Sequence, residues 1–283
     1  MEIKQVGVVG CGIMGHGIAQ ISAQAGYQVT VSEVNEELLR KGLAAIESSL
    51  SKLAEKGKIT PEEKRAALAR LKGTIDMNDF AACDLVIEAA TEKLEIKKNI
   101  FARLDKICPK SVILATNTSS VSVIDVAGVT TRQDKILGLH FFNPVQLMKL
   151  LELVRTIATS NDTVETARAF GQSVGKTVIV ARNTPAFVVN RLAVPFMLNA
   201  IRMLESGIAS KEDIDTGVSL GLNHPMGPLT LADFIGLDTL FFLASGAYED
   251  TKDPMWIPPI LLKDMVTAGW HGRKTGKGFY DYR

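Results

Sequence analysis

A histidine and a glutamate twelve positions apart have the types and the spacing that proton transfer requires. His140 ends the apolar run 135–140, and Glu152 lies in the middle of the alternating run 150–154, with a proline turn between the two runs. Adjacent strands joined by this turn would place the carboxylate beside the imidazole. A carboxylate on one ring nitrogen fixes the tautomer, and the other nitrogen then takes a proton from a hydroxyl group. The pair predicts a general base, with a purely structural histidine as the alternative.

A glycine-rich turn near the start of the chain predicts a dinucleotide site. An apolar, strand-forming run leads into Gly10-x-Gly12-x-x-Gly15, and a helical pattern follows at once. The first glycine allows the tight turn, the second lets the backbone approach a pyrophosphate, and the third lets the helix pack close to the sheet. Free N–H groups at the helix N-terminus would bind the phosphates. We include Ile13 and Met14, between the second and third glycines, among the candidate cofactor contacts.

An acidic residue follows the second predicted strand. The run 27–33 ends in Glu33, about twenty residues after the glycines, where a carboxylate accepts hydrogen bonds from ribose hydroxyls. Because a carboxylate would repel a 2′-phosphate, we predict NAD rather than NADP as the cofactor. Alcohol oxidation by a nicotinamide also needs a base for the hydroxyl proton, which connects this site with His140. A glycine turn without a ligand, followed by an ordinary solvated acid, is the alternative.

The elements that position these residues divide the chain into two parts. Strands and helices alternate over residues 1–183, whereas helical periodicity dominates residues 184–283. We therefore predict an α/β fold with a Rossmann-type, mostly parallel sheet, followed by an all-α domain for substrate binding and dimerisation. In the second part we predict long helices over residues 187–206 and 229–248. Helices this apolar usually cover a partner, which predicts a homodimer through the C-terminal helices.

Two helices are predicted as an insert after the second strand. The first runs from a cap at Asn35 to about Lys56 and has one apolar face. The second begins at a Thr60-Pro-Glu-Glu63 capping box and runs to about Leu71. This pair would project from the edge of the sheet and reach the tail of a ligand. Its lysines form either a phosphate contact or a solvated face.

Two polar features lie in apolar surroundings. Residues 116–120 are small and polar and follow a predicted strand, so they form a hydrogen-bonding loop, a cap for the next helix, or both. Asn190 lies on a largely apolar helix, where an amide is costly unless it is hydrogen-bonded. We therefore expect Asn190 to contact backbone or ligand.

Composition excludes several classes of function. The chain has 283 residues, a hydrophobic fraction of 46% and a net charge of +1, which suit two globular domains and give no broad electrostatic attraction to nucleic acid or anionic membranes. Its three cysteines lack CxxC spacing, so we expect neither a disulfide framework nor a metal site. We see no secretory signal and no run of about 18 apolar residues, and we predict a cytoplasmic protein without a membrane span.

The motifs together resemble the short-chain L-3-hydroxyacyl-CoA dehydrogenase family, and in particular its bacterial 3-hydroxybutyryl-CoA dehydrogenases. The resemblance covers essentially the whole chain. Six segments carry it: residues 10–15 (GCGIMG), 115–120 (ATNTSS), 140–144 (HFFNP), 187–191 (FVVNR), 225–228 (PMGP) and 276–280 (GKGFY).

The resemblance implies a reaction and the residues that carry it. The reaction is hydride transfer between C3 of a 3-hydroxyacyl-CoA and NAD. His140 matches the catalytic base of the family, and Glu152 matches its orienting partner. Ser119 and Asn190 match the polar groups that hold the 3-hydroxyl or 3-oxo end. Asn143 matches a residue near the nicotinamide.

The resemblance also implies contacts with the rest of both ligands. Glu33 matches the ribose-binding acid, which is usually aspartate in the family. Positions that line the NAD site are matched by Glu92, Lys97, Ser119 and Lys274. The CoA portion is assigned to Ser49 and Lys56. The segment around Lys56 is less basic than in some relatives, which weakens the match for the CoA 3′-phosphate.

Two other functions fit the same residues. Relatives that act on a sugar acid, such as L-gulonate dehydrogenases, share the His–Glu pair, but the inserted helices favour an acyl-CoA. Some relatives are abundant structural proteins of the eye lens. The presence of His140, Glu152, Asn190 and Ser119 argues against that structural role.

Overall fold

The computed structural model describes residues 2–283, which form two compact units, the first ending at Thr184 and the second spanning Pro185–Arg283. The first unit is built on one sheet of eight strands. In chain order these are β1 (Gln5–Val9), β2 (Gln28–Ser32), β3 (Leu71–Thr74), β4 (Leu85–Glu88), β5 (Ile113–Thr116), β6 (Ile136–Phe141), β7 (Leu150–Arg155) and β8 (Thr177–Arg182). The helices of this unit are α1 (Ile13–Gln24), α2 (Glu36–Glu55), α3 (Pro61–Ala69), α4 (Leu94–Ile107), α5 (Val123–Ala127) and α6 (Asn161–Ser173).

The strand order in the sheet is β3-β2-β1-β4-β5-β6-β7-β8. All neighbours are parallel except β6 and β7, which are antiparallel. This confirms the predicted Rossmann-type, mostly parallel sheet, in which ligands bind beyond the carboxyl ends of the strands. Because β1, β4, β5 and β6 run in the same direction, the loops that follow them leave from the same edge of the sheet.

Local signals start and stop the elements around the insert. The Asn35 side chain accepts a hydrogen bond from Leu38 N and caps α2, and Gly57 ends the turn after it with a φ of +64°. The capping box at Thr60 starts α3. The predicted helix pair is therefore present between β2 and β3, although the prediction that the second helix reaches Leu71 is wrong. A short edge strand, partly exposed and containing a glycine, begins there and carries only a weak strand pattern.

The core of the first unit lies on both faces of the sheet. The side chains of Val6, Val8, Leu85 and Ile87 have no exposed surface. Such continuous apolar strands are typical of a parallel sheet that is covered on both faces. Because these strands are buried, their carboxyl ends are held in place, and the loops that follow begin from fixed positions.

The second unit is helical, as predicted. Its helices are α7 (Val189–Glu205), α8 (Lys211–Gly221), α9 (Pro228–Ile235), α10 (Leu237–Thr251) and α11 (Ile260–Thr267). The prediction of one helix over residues 229–248 is wrong, because Gly236 has a φ of +105° and separates α9 from α10. Helix α7 begins two residues later than predicted, since Ala186 and Phe187 have positive φ values.

The helices of residues 2–283 are short or polar compared with a membrane span. None of them alone is long and apolar enough to cross a membrane. Among the described residues, only the consecutive helices α9 and α10 taken together have the length and composition of a membrane span, and the chain bends by 94° between them.

Candidate functional site

The structure brings His140 and Glu152 into contact. They are direct partners in the antiparallel pairing of β6 with β7. His140 Nδ1 lies 2.6 Å from Glu152 Oε2, a distance for a charge-assisted hydrogen bond. Glu152 has no exposed surface and His140 is 6% exposed, so the contact is held inside the protein. The ring of Phe142 stands 4.5 Å from the imidazole, centroid to centroid, and covers it on one side.

The loop after β5 is fixed to the strand that carries His140. The Asn117 side-chain oxygen accepts a hydrogen bond of 2.9 Å from Phe141 N, the residue after the histidine. Asn117 N in turn donates to the backbone oxygen of Glu88 at 2.7 Å. This polar loop therefore links the ends of β4, β5 and β6. The sequence predicted a hydrogen-bonding loop here, but it gave no role to Asn117.

Ser119 and Glu92 form a second contact at the same edge of the sheet. Glu92 Oε1 accepts hydrogen bonds from Ser119 N at 2.9 Å and from Ser119 Oγ at 3.1 Å. Glu92 Oε2 accepts from Thr118 Oγ1 at 2.6 Å. The side chain of Glu92 is still 38% exposed. These two candidate residues therefore lie side by side, with part of the acid facing solvent.

Lys97 lies behind this contact rather than on the surface. Its side chain has no exposed area, and its ammonium donates to Glu88 Oε2 at 2.6 Å and to Thr116 Oγ1 at 3.1 Å. Sequence reasoning missed Glu88 and Thr116. The available signal was an acid at the end of an otherwise apolar strand, nine residues before a lysine. A direct contact of Lys97 with NAD stays a prediction.

The turn between β1 and α1 has the shape that a pyrophosphate needs. Gly10 has a φ of +92°, and a Cβ on Gly15 would lie 1.8 Å from the Gly10 oxygen, so neither position has room for a side chain. A Cβ on Gly12, in contrast, would meet nothing within 4 Å. The N-terminus of α1 has no side-chain cap. Open space in front of these N–H groups fits an anionic group of a cofactor. Ile13 is 70% exposed beside this turn, and Met14 is half-buried.

Glu33 is held in place directly after β2. Its Oε1 accepts a hydrogen bond from Cys11 N at 2.7 Å, and its Oε2 accepts from Val34 N at 3.0 Å. The carboxylate is therefore joined to the glycine turn, where a ribose acceptor is expected. Burial, together with the charge of Glu33, raises the pKa of the Cys11 thiol to about 12. That thiol is therefore protonated at neutral pH.

Asn143 is the second residue of the loop between β6 and β7, and it is exposed. The peptide bond from Asn143 to Pro144 is cis. Lys176 Nζ holds the following segment by donating to the backbone oxygens of Val145 at 2.5 Å and Met148 at 2.7 Å. Burial lowers the pKa of Lys176. This anchored loop begins two residues after His140.

Ser49 and Lys56 lie on the inserted helices. Ser49 is half-buried on α2, and Lys56 is exposed at the end of that helix. Seven residues separate them, which places them near the same side of a helix. Within the described part of the chain, neither belongs to the hydrogen-bonded group around Asn117 and Ser119.

Two candidate residues belong to the second unit. Asn190 is half-buried in the first turn of α7. Lys274 donates a hydrogen bond of 2.7 Å to Asp238 Oδ2. Burial raises the pKa of Asp238, but hydrogen bonds from Lys274 and from Thr239 N outweigh it and lower the pKa overall. The roles of Asn190 and Lys274 toward ligands stay predictions.

Comparisons with known proteins agree on one family. Residues 5–184 match the sequence model "3-hydroxyacyl-CoA dehydrogenase, NAD binding domain", and residues 187–282 match "3-hydroxyacyl-CoA dehydrogenase, C-terminal domain". A 3-hydroxybutyryl-CoA dehydrogenase of Mycobacterium tuberculosis is 47% identical over 99% of this chain and 99% of its own length. One of Bradyrhizobium diazoefficiens is 45% identical over 99% of this chain and 96% of its own.

A solved structure agrees with these relatives. The (S)-3-hydroxybutyryl-CoA dehydrogenase of Ralstonia eutropha superposes with a TM-score of 0.97, at 45% identity and with both chains covered completely. The sequence, the fold and the NAD-binding domain therefore place this chain in the 3-hydroxyacyl-CoA dehydrogenase family.

Proposed function

We propose that this chain interconverts (S)-3-hydroxybutyryl-CoA and acetoacetyl-CoA with NAD as the cofactor. The observation that carries this proposal is the 2.6 Å contact between His140 Nδ1 and Glu152 Oε2 at the carboxyl end of β6. The names of the relatives at 45–47% identity support the choice of substrate. The reaction is an alcohol oxidation, which requires a base for the hydroxyl proton.

His140 and Glu152 supply the path for that proton. During oxidation, Nε2 of His140 accepts the proton of the 3-hydroxyl group, and during reduction it returns the proton to the 3-oxo group. Bound NAD would supply the hydride acceptor or donor for C3. The buried carboxylate of Glu152 holds the imidazole in one orientation and stabilises the imidazolium that forms. Burial excludes water from this pair, which strengthens their interaction.

The oxygen at C3 needs hydrogen-bond partners in addition to the base. We assign this role to Ser119 and Asn190, with Asn143 near the nicotinamide. Ser119 supports the assignment because it lies on the loop that is joined to β6 through Asn117. A hydroxyl and an amide are suited to an oxygen that alternates between alcohol and ketone, because each of them both donates and accepts.

The NAD contacts follow the turn after β1 and the ends of neighbouring strands. We assign the pyrophosphate to the backbone of Gly10, Gly12, Ile13, Met14 and Gly15, and the ribose to Glu33. Glu92, Lys97, Ser119, Asn143 and Lys274 are assigned to the remainder of the cofactor site. The open space in front of Gly12 and the fixed position of Glu33 support these assignments.

The CoA portion and the assembly are also proposals. We assign the CoA portion to Ser49 and Lys56 on α2. We further propose a homodimer through the C-terminal helices, because α7, α8 and α10 expose Leu192, Leu220 and Phe242, each by more than half. Exposed apolar side chains of this kind mark contact surfaces between proteins.

The experiment that tests the function is NADH oxidation with two substrates. We expect acetoacetyl-CoA to be reduced with a kcat/KM within the usual range for enzymes, on the order of 10⁴ M⁻¹ s⁻¹ or more. Dehydrogulonate, which has no CoA, should be reduced at least about 100-fold less efficiently, because it lacks the binding energy of the CoA portion. Equal or better activity with dehydrogulonate would favour a sugar-acid dehydrogenase.

A further inference from the structure

A buried ion pair lies behind the loop that carries Ser119. Glu88 ends β4, Lys97 lies near the start of α4, and neither side chain has any exposed surface. Their charged atoms are 2.6 Å apart. Burying two charges removes them from water, and apolar side chains would fill the same space at a lower cost. The groups that surround the pair suggest what it contributes.

The ion pair joins three elements at their ends. Glu88 Oε1 accepts a hydrogen bond from Ala90 N at 2.8 Å, and Glu88 Oε2 accepts from Thr116 Oγ1 at 2.8 Å. Lys97 Nζ donates to both Glu88 and Thr116. The polar groups of this pair are therefore hydrogen-bonded, and they tie the end of β4 to the end of β5 and to α4.

The same lysine faces Glu92 on its other side. Lys97 Nζ lies 3.8 Å from Glu92 Oε2, and that oxygen also accepts a hydrogen bond of 2.6 Å from Thr118 Oγ1. Glu92 Oε1 holds Ser119 through both its N–H and its hydroxyl group. The positive charge of Lys97 thus attracts this carboxylate from behind and opposes its turning toward solvent.

We propose that Glu88 and Lys97 are positioning residues that hold Glu92, and through Glu92 the loop 117–120, so that Ser119 keeps a fixed place. The proposal rests on the function proposed above for Ser119. Besides the cofactor contact assigned above, it gives Lys97 a role that acts through the protein, from behind the surface of the site. Loss of the ammonium leaves Glu92 without its buried counter-charge, and Ser119 then loses a fixed acceptor for its N–H and hydroxyl groups.

Hydrogen–deuterium exchange tests the positioning without any turnover. The variants are Lys97→Met, and Glu88→Gln combined with Lys97→Met, which removes both charges of the buried pair, so that Glu88 is not left as a charge without its partner. A matched control is Asp105→Asn, which breaks another buried ion pair on α4, that of Asp105 with Arg132 at 2.7 Å. We expect amide exchange in residues 117–120 to rise at least about 10-fold in both Lys97 variants and to stay within about 2-fold in the control. Unchanged exchange of 117–120 in the charge-free pair would overturn the proposal.

A double-mutant cycle tests the connection to Ser119. With acetoacetyl-CoA and NADH, Lys97→Met should lower kcat about 10-fold in the wild-type background but less than about 2-fold in the Ser119→Ala background, because both changes remove the same contribution. Equal losses in both backgrounds would contradict the proposed connection. If Lys97→Met does not fold, the charge-free pair takes its place in the cycle. Absence of turnover by the wild type would refute the proposed function instead, and the exchange experiment would still test the positioning.

Discussion

The preference for NADH over NADPH depends on the carboxylate of Glu33. This side chain is fixed by hydrogen bonds from Cys11 N at 2.7 Å and from Val34 N at 3.0 Å, so it is not free to move away from an added phosphate. The informative change is Glu33→Gln. A glutamine still accepts the hydrogen bond from Cys11 N, but it has no charge.

The size of the preference follows from electrostatics. Two unit charges about 4 Å apart interact by about 4 kcal/mol at an effective dielectric constant of 20, and a phosphate carries more than one charge. Glu33 is half-buried, so salt and water reduce this repulsion. We therefore expect a net penalty of about 3 kcal/mol against NADPH, or roughly 100-fold in kcat/KM.

Steady-state kinetics with acetoacetyl-CoA and either cofactor measure this preference. We expect the ratio of kcat/KM for NADH to that for NADPH to be about 100 or more in the wild type and below about 10 in Glu33→Gln. The control is Glu37→Gln, which removes an exposed acid that pairs with Lys41 on α2. It should leave the ratio unchanged. A wild type that uses both cofactors equally well, or a ratio that survives the loss of the charge at position 33, would refute the reasoning.

Two further predictions concern the turn after β1 and the end of α4. A Cβ on Gly15 would overlap the Gly10 oxygen, so Gly15→Ala should lower Tm, which calorimetry measures. A Cβ on Gly12 meets open space, so Gly12→Ala should leave Tm nearly unchanged. It should nevertheless weaken NADH binding at least about 10-fold, which fluorescence titration measures. Burial raises the pKa of Asp105, but hydrogen bonds from Arg132 and Thr131 outweigh it and lower the pKa from 3.8 to about 2. Because the folded-state pKa is lowered, Asp105 stabilises the protein above about pH 4 and loses this effect as the pH falls toward 2. Asp105→Asn should thus cost on the order of 3 kcal/mol in urea unfolding at pH 7, and a difference that did not shrink toward pH 2 would contradict this assignment.

Patterns confined to one or two neighbouring strands were predictable from the sequence. The approach of Glu152 to His140 follows from two consecutive strand-forming runs, because the turn between them leaves few possible registers. The glycine turn was recognisable because Gly10 and Gly15 have no room for a side chain, and Glu33 because an acid about twenty residues later suits the hydroxyl groups of a ribose. Helix caps at Asn35 and Thr60 act through neighbouring residues, and both appear where they were predicted.

Features that depend on packing were not predictable. The break at Gly236 lies in an apolar run that suits a single helix, and nothing local distinguishes this glycine from one inside a helix. Strand β3 is a short edge strand with little alternation, so the capping box before it suggested a longer helix. The pair of Glu88 with Lys97 forms only when the end of β4 meets α4. The roles of Ser49 and Lys56 come from the resemblance alone, and the cytoplasmic location stays a prediction.

The most direct test of the account is the kcat of His140→Gln with saturating acetoacetyl-CoA and NADH, with His224→Gln, an exposed histidine of the second unit, as the control. Loss of a general base typically costs about 10² to 10⁴-fold. We predict that kcat falls at least about 100-fold while Tm and the KM for acetoacetyl-CoA change little, and that the control keeps its activity. A correctly folded His140→Gln protein with a kcat close to that of the wild type would contradict the account.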